Sequence, residues 1–142
     1  MRYPGPMNRM IYHMCPAETW QEAAQAGIYR GTADDLRDGF IHFSTAEQIA
    51  ESARRHRAGQ TGLVLIAIES ARLGDGLKWE KSRGGALFPH LYGALDPAEA
   101  GSVRPLPLGP NGEHLFPPLD YAAVLRVALN TGRCDGGTRD RE

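Results

Sequence analysis

The chain has little of what marks the more specialised protein classes. Its 142 residues hold only two cysteines, Cys15 and Cys134, far apart and without C-x-x-C spacing. Neither a disulfide framework nor a thiolate metal or redox motif is read from them, and a reducing compartment is expected. Net charge is nearly absent: 16 basic residues against 17 acidic leave -1, so no chain-wide field favours nucleic acid or an anionic membrane. No apolar run reaches the length of a spanning helix. Residues 1–9, with Pro4, Gly5, Pro6 and Asn8, lack the apolar stretch of a secretion signal. Internal repeats are missing as well. These absences point to a cytoplasmic protein.

What is present suits one domain large enough to fold without disulfides or metal. A flexible segment is expected at 1–9, a domain at 10–116, and at 117–142 an extension, partly disordered, with one weak helical pattern at 121–129. Strand-like runs lie at 10–14, 40–43, 63–68, 77–80, 90–95 and 103–108. The run 63–68, Leu-Val-Leu-Ile-Ala-Ile, is apolar throughout and reads as a central strand covered on both faces. Thr19 and Glu22 have capping-box spacing before a short helix closed by Gly27, and Ser44 and Glu47 have it before a helix at 45–58 stopped by Gly59. Residues 28–36, with Gly31 and Asp34-Asp35, read as a loop.

Three of the five histidines stand in apolar, strand-like surroundings: His13 in Ile-Tyr-His, His42 in Gly-Phe-Ile-His-Phe-Ser-Thr, and His90 in Leu-Phe-Pro-His-Leu-Tyr-Gly. A buried imidazole needs partners for both nitrogens or a ligand, so these positions are candidates for a pocket. His56 and His114 read as solvated. Each candidate also has a structural explanation. Ser44 suits an N-cap, His13 and His42 suit core histidines bonded to carbonyls, and Glu80 and Arg83 suit solvated charges. His90 and Tyr92 alternate on a strand and share a face.

The Tyr12-His13 pair, Trp20 with Ala23-Ala24, Gly27-Ile28-Tyr29, the run from Gly39 to Ser44, Leu63 to Leu65, Trp79-Glu80 and Phe88 to Gly93, in this order, resemble the family catalogued as domain of unknown function 952. That family is similar in fold to the ADP-ribosyltransferase group. The resemblance implies a single α+β domain with a small, mostly antiparallel split sheet, two or more short helices, and NAD as co-substrate in a cleft between the sheets. It places His13 at the first-strand position, Ser44 or Thr45 at the second-strand hydroxyl, and Glu80 at the carboxylate that stabilises an oxocarbenium-like centre. Glu80 and His42 are the expected catalytic residues, and His13, Ser44, Thr45, Arg83, His90 and Tyr92 the expected ligand-binding ones. The chemistry needs no metal. Two other readings stand beside it: a non-catalytic module for a nucleotide or modified peptide, and a metal-dependent hydrolase using His13, His42 and His90 as ligands.

Overall fold

The computed structural model describes residues 8–119. The expected helix at 121–129, Cys134, most of the 117–142 extension and most of the 1–9 segment lie outside them. Among the described residues, seven strands divide into two antiparallel sheets. The first contains β1 (Met10–Pro16), β3 (Ser44–Thr45), β4 (Leu63–Glu69) and β7 (Ser102–Leu106), in the order β3-β1-β4-β7. The second contains β2 (Ile41–His42), β5 (Leu77–Lys81) and β6 (Leu87–Leu91), in the order β2-β6-β5. With three helices this makes a small α+β domain.

Side-chain alternation explains how the first sheet is buried on both faces. Ile11 pairs with Ile68 and His13 with Ile66, which sets Ile11, Cys15, Ile66 and Ile68 in one apolar cluster with Trp20, Ala23, Tyr29, Ile41 and Leu91. Tyr12, Met14, Leu65 and Ala67 alternate to the other face and pack with Ile49 and Ala53. The run at 63–68 is therefore a doubly covered strand, as its composition implies. His13 sits in the middle of the first apolar face.

Helix α1 (Ala17–Ala26) turns Trp20 and Ala23 inward and ends on Gly27, whose φ of 81° is the left-handed cap that glycine accepts without a Cβ clash. It begins directly after Pro16, three residues earlier than the Thr19 capping pattern suggests. The supposed loop at 28–36 is corrected by helix α2 (Ala33–Asp38). Thr32 Oγ1 accepts from Asp35 N–H at 3.3 Å, and Asp35 Oδ2 accepts from Thr32 N–H at 2.8 Å, a reciprocal cap built with Asp instead of Glu.

A second correction concerns Ser44 and Thr45, which do not open a helix. They form β3 and pair with Tyr12 and Ile11. Helix α3 (Ile49–His56) starts after Gln48, whose Oε1 accepts from Thr45 N–H at 3.0 Å and whose Nε2 donates to the Leu87 carbonyl at 2.8 Å. Gln48 thus ties the two sheets together. The strand expected at 90–95 runs from Leu87 to Leu91 instead.

One residue, Phe43, separates β2 in the second sheet from β3 in the first. The sheets split apart here, and β3 pairs with only two residues of β1. Among the described residues, no strand lies beside this edge of β1 beyond Tyr12.

Candidate functional site

A cavity of about 240 Å³ opens at that uncovered edge, with His13, Asp35, Asp38, His42, Ser44 and Arg57 in its wall. His90 and Ser52 complete the parts that matter chemically. Of the expected site residues, His13, His42, Ser44 and His90 are brought together. Glu80, Thr45 and Tyr92 are not on the lining. Arg83 lies in the turn between β5 and β6, and its side chain is outside the described residues.

His13 is buried, with 3 % of its surface accessible. Its Nδ1 lies 2.6 Å from the His42 carbonyl and its Nε2 2.6 Å from the Tyr29 hydroxyl. A carbonyl can only accept, so Nδ1 carries the proton and Tyr29 O–H donates to Nε2. Burial pushes the His13 pKa below its usual value, against the opposing pull of Asp35, which agrees with a neutral ring. Tyr29 also bonds the thiol of Cys15, and burial raises that thiol to about 11. Cys15 is accordingly an inert core thiol.

His42 is held differently. Its Nδ1 lies 2.5 Å from Asp35 Oδ1 and its Nε2 3.1 Å from Asp38 Oδ2, so the ring satisfies both carboxylates when both nitrogens donate. Its backbone N–H donates to Asp35 as well, at 3.1 Å. Asp35 is the residue that sequence reasoning missed most. It is 2 % exposed, caps its own helix and binds His42 twice, and these bonds hold its carboxyl below the usual range although burial, the largest influence, acts upward. The Thr32-x-x-Asp35 spacing carried a signal for the cap, but nothing local pointed to His42.

His90 presents the opposite situation. Its Nδ1 donates to Glu80 Oε1 at 2.7 Å, and Tyr92 O–H donates to the same oxygen at 2.8 Å. Glu80 is thereby committed to His90 and Tyr92, and its carboxyl is held low, chiefly by the bond from His90. Phe40 stacks on the His90 ring at 4.1 Å, and His42 meets it edge-on at 5.7 Å. Burial depresses the His90 pKa despite Glu80. Among the described residues, Nε2 of His90 has no hydrogen-bond partner. The arrangement can therefore offer one oriented, neutral imidazole lone pair beside a histidine enclosed by carboxylates. The three imidazoles do not present a joint ligand set, because His13 and His42 direct both nitrogens to protein atoms.

Comparison with known proteins places this geometry among relatives. The family described as "Protein of unknown function (DUF952)" matches residues 14–103. The crystal structure of protein CC0527 from Caulobacter crescentus is 44 % identical, over 75 % of this chain and 93 % of that one, with a TM-score of 0.72. The solution NMR structure of CC0527 is 45 % identical, over 73 % and 90 % of the two chains, with a TM-score of 0.67. No curated protein matches the chain.

Proposed function

We propose, for a chain that belongs to the family described as protein of unknown function (DUF952), an enzyme that cleaves the bond between a ribosyl carbon and its leaving base, with NAD as co-substrate and His90 as general base. The observation that carries this reading is His90 on the cavity wall, its Nε2 without a hydrogen-bond partner among the described residues while Glu80 holds Nδ1–H at 2.7 Å. A carboxylate on the far nitrogen fixes tautomer and ring orientation, and a depressed pKa keeps the base unprotonated at neutral pH.

Attack by water or an acceptor hydroxyl forms a C–O bond at the ribosyl carbon as the C–N bond to nicotinamide breaks. The bonding pair leaves with nicotinamide, and the attacking O–H proton passes to His90 Nε2. Positive charge on the ribosyl carbon is stabilised by a nearby carboxylate. Asp38, partly exposed in the cavity wall, supplies that charge in place of Glu80, which acts through His90 as a positioning residue. His42 orients Asp38, and Ser44 offers a hydroxyl to the ligand. The order of His13 and Ser44 on adjacent strands, resembling the ADP-ribosyltransferase arrangement, supports NAD as the co-substrate.

Nicotinamide release from NAD tests the reading. Wild type should release it, and His90→Gln should lower kcat by about 10²- to 10⁴-fold while the Kd for ADP-ribose stays within a few-fold. Glu80→Gln should cost less, since the amide oxygen still accepts from Nδ1–H. Binding of ADP-ribose without nicotinamide release under any acceptor would replace the enzyme with a binding module.

A further inference from the structure

Arg57 closes α3 and lines the same cavity. Its contacts are one-sided. Nη1 donates to the His56 carbonyl at 3.1 Å and to Asp34 Oδ2 at 3.4 Å, and among the described residues neither Nε nor Nη2 has a partner. Nε is buried without a hydrogen bond, although the side chain as a whole keeps 15 % of its surface. An unsatisfied buried donor keeps its desolvation cost uncompensated, and the cost is larger on a charged group. It persists in a native fold when something else restores the bond.

The hold of Asp34 on Arg57 is loose. Charge-assisted N–H to O bonds run at about 2.7 to 2.9 Å, and Asp34 has a shorter partner in Arg37 at 3.0 Å. A modest shift of the guanidinium would free it from Asp34 and turn its Nε–Nη2 edge toward the cavity. That edge is the fork that matches two oxygens of a phosphate. Ser44 and Ser52 share the lining, their hydroxyls bonded to each other at 2.8 Å. Asp34, Asp35 and Asp38 are in the same wall, so an anionic group away from Arg57 would meet carboxylate repulsion. At about 240 Å³ the space falls below the roughly 300 to 1,000 Å³ usual for drug-sized ligands. It suits one ribosyl phosphate, with any further part of the ligand outside.

We propose that Arg57 is the phosphate-recognition residue of this cavity, turning its unpartnered Nε–Nη2 edge to the phosphate of a ribosyl monophosphate unit in exchange for Asp34. The ribosyl half of that ligand rests on the function proposed above, whereas the phosphate half rests on Arg57 alone.

Nicotinamide mononucleotide and nicotinamide riboside, which differ only by the phosphate, make the matched probes for calorimetry. Wild type should bind the mononucleotide at least about tenfold more tightly, a single charged contact being worth that much. Arg57→Gln should bring the ratio close to one by weakening the mononucleotide alone. Asp34→Asn, which removes the competing carboxylate, should tighten the mononucleotide a few-fold, a gain that misfolding cannot imitate. An unchanged ratio in Arg57→Gln, no gain in Asp34→Asn, or no binding of either probe by wild type would overturn the proposal. Loss of nicotinamide release with the ratio behaviour intact would instead remove only the enzyme reading.

Discussion

At the residue scale, three histidines of one chemical type hold three different positions because their partners differ. His13 is internally satisfied, His42 faces two carboxylates, and His90 keeps one nitrogen open. Burial holds His13 and His90 below their usual pKa of 6.5, and unfolding returns both to it. Between the lowered values and about pH 6.5 the unfolded chain therefore binds more protons than the native one, so stability that is complete above that window falls on acidification through it. The slope approaches about 1.4 kcal/mol per pH unit for each proton of difference. The melting temperature should fall by several degrees between about pH 7.5 and 5.5, and less in His13→Gln. A wild-type melting temperature that ignores this change would refute the assignment of a neutral, buried His13. Tyr29→Phe removes the donor to His13 Nε2 and should cost about 1 to 3 kcal/mol in urea unfolding at neutral pH.

At the element scale, α2 carries the site although it is the helix the sequence concealed. Its six residues include one large apolar side chain, Leu36, and that is 64 % exposed, so no amphipathic period exists to be read. Its Asp34-Asp35 pair suits a turn equally well. What fixes the helix is the Thr32–Asp35 cap and the bonds from Asp35 to His42, whose partner lies in another element. The supposed helix start at Ser44 failed for the converse reason: the capping spacing was present, but pairing with Tyr12 and Ile11 took those residues into a strand. Gly31 gives the element its sharpest test. Its φ is 106°, and a Cβ there would lie 2.5 Å from the Cβ of Asp35. Gly31→Ala should destabilise the fold by about 1 to 3 kcal/mol from the backbone alone, with the clash adding to it, and should lower activity by displacing Asp35 from His42. Urea unfolding curves equal to wild type would show that Asp35 has room to move.

At the scale of the whole molecule, the apolar runs were legible because they do one job. β1 and β4 are buried on both faces, and their composition says so without reference to anything distant. Ile66, fully buried on β4, should cost about 2 to 5 kcal/mol on truncation to Ala, while Val103→Ala on the 42 % exposed position of β7 should stay within about 0.5 kcal/mol. Denaturant midpoints for the two variants check the contrast. The histidines in those runs were legible as well, as polar groups in apolar surroundings. Asp38 and Arg57 were not, because what makes them part of a cavity is the divergence of two sheets at Phe43, and no local spacing encodes that divergence.

The bond from His13 to the His42 carbonyl joins the first sheet to the second in the wall of the cavity. Seen mechanically, the imidazole is a strut: Tyr29 braces one end and the backbone of β2 rests on the other. A gap propped open in this way is ready for its occupant, so a ligand entering it forgoes the ordering cost that a collapsing cleft would charge against its affinity. The width of the opening then depends on the length of this side chain together with the Gln48 tie between the sheets. A shorter residue at position 13, even one able to donate and accept, would let the sheets close, and the first property to change would be the size of molecule admitted.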